Sequence, residues 1–164
     1  MKPILTLLVL LTISLSPTYT PTSVNQQQSE RLKELDAYWA EVSRTVREGD
    51  YEGYSAQYHE DAVVVFATRD PKMSVSISDA LAAWKPGFEA TRSGKTKANV
   101  QFRFSQRIGN KNTAHETGVF AYNDGGPNNY VAFEMLLVKK DGQWLGMMEY
   151  QKNQVTQAEW DALK

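Results

Sequence analysis

Apolar residues recur at three- and four-residue steps along Leu32, Leu35, Trp39, Val42 and Val46, so this stretch predicts an amphipathic helix with one stripe turned to a core. Gly49 stops it, and Asp50 is placed to N-cap a second short helix, with Tyr51, Tyr54 and Tyr58 as a second packing face. Glu60-Asp61 then leads directly into the apolar run Ala62 to Phe66, which reads as a strand. Ala67 to Ser76 has mixed polarity around an Asp70-Pro71 turn and predicts a loop or a short edge strand pair. Ser78 can cap a third helix in which Leu81, Trp84 and Phe88 share a face; Pro86 predicts a kink or an early end, and Gly94 closes the segment. From Thr96 the period changes to that of strands, over 98–108, 113–122, 130–140 and 143–151. The intervening loops, 109–112, 123–129 and the two-residue Asp141-Gly142, predict an antiparallel meander.

A two-residue Asp141-Gly142 turn sets a register: Lys140 opposite Gln143, Val138 opposite Leu145, Leu136 opposite Met147, Glu134 opposite Glu149 and Ala132 opposite Gln151. Two carboxylates facing each other repel unless a cation, a shared proton or solvent intervenes. On a covered face, such a pair could work as a general acid or base, which makes Glu134 and Glu149 the candidate catalytic residues. A three-residue loop would move the register by one and send the two to opposite faces. Arg103, brought opposite Gly118 by a four-residue 109–112 loop, would lie between the two glutamates, and an arginine so bracketed is stable without any chemistry. Three readings therefore stand open: a structural ion cluster, a polar group that orients a ligand, and an acid/base pair.

The order Glu48-Gly49-Asp50-Tyr51-Glu52-Gly53-Tyr54, then Tyr58-His59-Glu60-Asp61-Ala62-Val63, resembles the opening of the nuclear transport factor 2-like superfamily. That superfamily includes ketosteroid isomerase and the SnoaL-like polyketide cyclases, and the pattern is most similar to the bacterial group called domain of unknown function 4440. The resemblance spans residues 30–155 and implies an α+β, cone-shaped, cystatin-like fold, with three N-terminal helices on a curved, mostly antiparallel sheet around an internal pocket. In that setting Trp39, Tyr54, Tyr58, Phe66 and Trp84 become candidate pocket wall, and Arg103, Met147 and Gln151 join them as candidate ligand-binding residues. Of the three catalytic positions of ketosteroid isomerase, the base aligns on Phe66 and the tyrosine on Val42; only the late-strand carboxyl survives, as Glu134. Steroid isomerisation by that mechanism is not expected, whereas a pocket with one inward carboxyl is.

Composition narrows the classes. The chain has 164 residues, 18 basic against 19 acidic, for a net charge of −1, which offers no electrostatic footprint for nucleic acid. There is no cysteine, so disulfides, thiolate metal sites and cysteine nucleophiles are excluded. His59 and His115 are isolated, without the spacing of metal ligands, and no metal or cofactor is implied. Gly125-Gly126-Pro127 joins two strands and leads into no helix, so it reads as a hairpin loop rather than a phosphate cradle. Met1-Lys2 followed by the apolar run Ile4 to Leu15 reads as an export signal over 1–23, too short for a stable membrane span of roughly 20 residues. Residues 24–29 then read as a flexible linker, 30–155 as the domain, and 156–164 as a short C-terminal helix or tail. The protein is thus expected to be secreted or periplasmic.

Val131, Phe133, Met135 and Leu137 form the other apolar stripe of the hairpin, with Trp144, Met148 and Tyr150 beside it. Left wet, that face would need a second copy, so a homodimer through the sheet is expected. The leading functional expectation is a binding module for a small, partly apolar molecule oriented by Glu134, Glu149 and Arg103. The alternatives are a SnoaL-like enzyme of isomerase or hydratase/cyclase type using a pocket glutamate, and a dimeric protein-interaction module.

Overall fold

The computed structural model describes residues 24–163, so the expected export segment lies outside the described residues. Helix α1 (Val24–Glu48) begins earlier than expected: residues 24–29, read above as linker, are its first turns. These residues are polar but contain neither proline nor glycine, and their Gln-rich composition favours helix. The buried stripe is Leu35, Tyr38, Trp39, Val42, Thr45 and Val46, with Arg31, rather than Leu32, at its N-terminal end. Gly49 takes φ +68°, and a Cβ there would stand 2.4 Å from the backbone nitrogen of Arg92. Glycine thus both turns the chain and lets the end of α1 touch the backbone of α3 (Ile77–Arg92). Asp50 caps α2 (Tyr51–Ser55) as expected, accepting from the Gly53 amide at 2.9 Å and held by Arg44 at 2.6 Å. The cap of α3 is Ser76, not Ser78. Helix α3 also runs through Pro86 without ending; the carbonyl of Ala82, deprived of its donor, belongs to an exposed residue and can be met by water.

The sheet has six strands, β1 (Tyr58–Phe66), β2 (Met73–Ser76), β3 (Asn99–Gly109), β4 (Thr113–Asn123), β5 (Asn129–Lys140) and β6 (Gln143–Gln154), in the order β2-β1-β6-β5-β4-β3. Every pairing is antiparallel except β1 with β6. At the last hairpin, Asp141 and Gly142 have φ of 51° and 83°, the left-handed pair that a two-residue turn requires. Lys140 lies opposite Gln143 and Val138 opposite Leu145, as read from the sequence. The register then slips by one at Met147: Leu136 faces Met148, Met135 faces Glu149, and Glu134 faces Tyr150. The cause lies at Gly146, whose amide leaves the hairpin to bond the Gln57 carbonyl at 2.8 Å, and where a Cβ would come within 3.1 Å of the Tyr58 ring. The β3–β4 hairpin closes at Gly109 opposite Ala114, which sets Arg107 opposite Glu116, and a second irregularity, at Ser105, then leaves Arg103 opposite Val119 rather than Gly118.

These slips decide which face is which. Val131, Phe133, Met135 and Leu137 are buried under the helices with Leu35, Trp39, Val64 and Phe66. The stripe expected to face outward toward a second copy is instead the core, and Trp144 is buried with it. The outer face carries Glu134, Leu136, Met148 and Tyr150. Helix α4 (Gln157–Ala162) covers part of that face, packing Trp160 against Val119, Ala121 and Tyr130. Among the described residues, no helix is long and apolar enough to cross a membrane.

Candidate functional site

The concave face of the sheet and the three N-terminal helices enclose a cavity of about 520 Å³. Its floor is aromatic: the Trp39 ring from α1 lies 4.4 Å from Phe102 and 5.6 Å from Phe133, centroid to centroid. Tyr54, Phe66 and Trp84 build the wall beneath α3, with Trp84 edge-on to both of the others. Exposed Arg69, Tyr122, Asn129 and Gln154 form the rim. Strand alternation past the Met147 slip turns Glu149 and Gln151 into this space.

Glu149 is 8% exposed. Tyr58 donates its hydroxyl to one carboxyl oxygen at 2.6 Å, and the Gln151 amide donates to the other at 2.8 Å. With the Tyr58 proton so committed, Tyr54 donates to the Tyr58 oxygen at 3.1 Å, giving a chain of hydroxyls that ends on the carboxyl. Burial pushes the Glu149 carboxyl above the ordinary glutamate range, against the lowering by its two donors. Burial first, then the neighbouring carboxylate, raises both tyrosines well above their usual value, so neither ionises near neutrality. The arrangement can hold a polar group of a ligand, and a carboxyl whose proton is more firmly held is a better match to acid/base work near neutral pH.

Of the candidate residues, Trp39, Tyr54, Tyr58, Phe66, Trp84, Glu149 and Gln151 line this one cavity. Three other candidates do not. Glu134 lies on the outer face, bonded to Lys152 at 2.8 Å and His115 at 3.0 Å, and Lys152 foremost holds its carboxyl below the usual range. The one ketosteroid isomerase position that survived alignment is thus outside the cavity. Arg103 is also on the outer face, where it donates to the Trp160 and Leu163 carbonyls at 2.9 and 3.1 Å and stacks on the Trp160 ring; it clamps the end of α4. Met147, the residue at the slip, has no place in the ladder and none in the cavity lining. No Glu134–Arg103–Glu149 cluster exists.

His59, Glu60 and Asp61 do bring ligand atoms within 4.8 Å of one another, at the surface. Lys140 Nζ stands 3.5 Å from His59 Nε2 and 3.9 Å from Glu60, so a cation of the protein already faces that group. The sequence reading missed Glu116, fully buried beneath α1, where Arg107 donates at 2.6 Å and Trp39 Nε1 at 3.4 Å. Alternation along Ala114, Glu116, Gly118 and Phe120 was the available signal, since apolar and small residues flank this carboxylate on one face. It also missed Arg69, placed at the rim by the β1–β2 connection.

No family model matches the chain, and no curated protein does. Solved structures do. The chain is similar to an NTF2-like protein of unknown function from Shewanella oneidensis, with 15% identity over 73% of this chain and 97% of that one and a TM-score of 0.61. A second NTF2-like protein of unknown function, from Methylobacillus flagellatus, gives 19% identity over 82% and 96%, TM-score 0.58. A putative scytalone dehydratase from Novosphingobium aromaticivorans gives 14% over 81% and 89%, TM-score 0.57. The chain has the nuclear transport factor 2-like fold; likenesses at these identities carry the fold and no activity.

Proposed function

We propose that this protein binds a small, largely apolar molecule inside the cone, oriented by Glu149. The observation that carries the reading is the cavity itself: about 520 Å³ with a wall rich in aromatic side chains, in which Glu149 is the single lining carboxyl among the described residues. If residues 1–23 act as an export signal, the ligand is met outside the cytoplasm. Within the superfamily, the Gly49-Asp50 opening supports placing the chain beside the SnoaL-like and domain of unknown function 4440 groups. The chain of hydroxyls from Tyr54 through Tyr58 to Glu149 supports a second reading, an enzyme that transfers a proton in an isomerisation or hydration. Turnover lost in Glu149→Gln with binding kept would select it.

Gly87 on α3 provides the test. It lines the cavity, and a Cβ added there meets nothing within 4 Å, so Gly87→Leu fills the opening without displacing backbone. Leucine in place of a helical glycine should also stabilise α3, by about 0.5–1 kcal/mol. The expected result, in a fluorescence titration with phenylnaphthylamine, is a variant at least as stable as the parent whose affinity has fallen about tenfold or more, a loss of about 1.4 kcal/mol. Unchanged affinity in a folded variant would place the binding elsewhere and end this reading.

A further inference from the structure

The cavity contains two charged lining residues, Glu149 inside and Arg69 at the rim. Their situations differ. Glu149 accepts from two donors of the protein. The Arg69 guanidinium carbon lies over the Phe66 ring, 4.0 Å from its centroid, and its one hydrogen bond is a long one, 3.8 Å, to the Met73 sulfur. Among the described residues no carboxylate pairs with it, nor with Arg31 or Arg47, whereas Arg44, Arg92, Arg103 and Arg107 have carboxylate partners; of the three without one, Arg69 alone lines the cavity. The contact with Phe66 holds the group by its face and leaves most of its N–H groups unengaged at the cavity mouth.

Strand geometry relates the two groups. Val64 pairs with Glu149 and Phe66 with Gln151, so the ring under Arg69 is one inward-facing step, roughly 7 Å, beyond Glu149 along the strands. Charge across the mouth is uneven: on the opposite wall Asp124 lies close enough to Tyr122 to raise its hydroxyl pKa, behind the raising by burial. An anion entering the mouth is therefore drawn toward β1. A cationic group would find at Glu149 a carboxyl whose oxygens already have donors, and Arg69 at the rim would repel it.

Resting on the small-molecule reading above, we infer that the ligand is an amphiphilic organic anion. Its ring-bearing body packs in the aromatic cone, its carboxylate, sulfonate or phosphate group sits on Arg69 at the mouth, and an uncharged hydrogen-bonding group reaches Glu149.

Two dyes with one skeleton test this: anilinonaphthalene sulfonate, and phenylnaphthylamine, which lacks only the sulfonate. The parent should bind the sulfonate about tenfold more tightly, as a charge-assisted contact implies. Arg69→Gln, at an exposed position, should collapse that difference, and added salt should narrow it in the parent alone. If the two dyes bind alike and Arg69→Gln changes nothing, while Gly87→Leu still weakens both, the anion is wrong and the cavity reading survives. If neither dye binds the parent, or Gly87→Leu leaves both affinities intact, the inference falls together with the reading beneath it.

Discussion

Glu116→Leu is expected to cost about 3–5 kcal/mol of folding stability, because it removes the buried partner of a charge that stays buried. Glu116 is 0% exposed, Arg107 is 19% exposed in its side chain, and Arg31, 5% exposed, packs beside them with one bond to the Arg107 carbonyl. Without Glu116, Arg107 keeps Asp36, itself mostly in water, and Trp39 Nε1 loses its acceptor. The Arg107 guanidinium would then face an apolar side chain, with its desolvation no longer offset. Urea denaturation should show a fall in midpoint with little change in slope. Replacing both members, Glu116→Leu with Arg107→Met, should recover most of the loss, since neither charge is then stranded. A single-variant loss under about 1 kcal/mol would mean that the pair is effectively solvated.

That cluster also shows where the sequence stops being informative. Element order, the Asp50 cap and the Asp141-Gly142 turn are local, each fixed by residues within a few positions, and all are legible. Facing is not local. Glu134 and Glu149 were paired by counting outward from a correctly read turn, and the count fails at Met147 because Gly146 answers to Gln57 and Tyr58, far away in the chain. A one-residue slip exchanges the two faces of β5, so the same error put Glu134 in the pocket and Phe133 in solvent. Glycine inside a strand was the warning, at Gly146 and again at Gly118, where a Cβ would meet the Arg103 carbonyl oxygen at 2.0 Å. The aromatic wall survived the error because Trp39, Tyr54, Phe66 and Trp84 come from elements whose buried faces are set by their own periodicity. Arg103 did not, because its face depends on the irregularity at Ser105.

Glu149→Gln should become progressively more stable than the parent as pH rises. Burial raises the folded carboxyl above its ordinary value, more than Tyr58 and Gln151 lower it, so the native state holds this proton more tightly than the unfolded chain does. The stabilisation from that proton is complete below the unfolded pKa of about 4.3 and is lost as pH climbs through the folded value. Between those two points the parent loses up to about 1.4 kcal/mol per pH unit from this group, and glutamine, which does not titrate, loses nothing. At low pH the two should be near parity: the amide oxygen still accepts from Tyr58, and Gln151 can turn its own amide to present oxygen. Tyr38, Tyr54 and Tyr58, all raised by burial, stay neutral over the range and cannot produce the divergence. Denaturation midpoints for both proteins at a series of pH values from mildly acidic to mildly alkaline measure it. Parallel curves would show that the folded and unfolded carboxyls titrate alike, which removes the basis for an acid/base role. Diverging curves would show that the fold retains a carboxyl at a net cost above its pKa, and a retained cost at the wall of a cavity is what a binding or proton-transfer site requires.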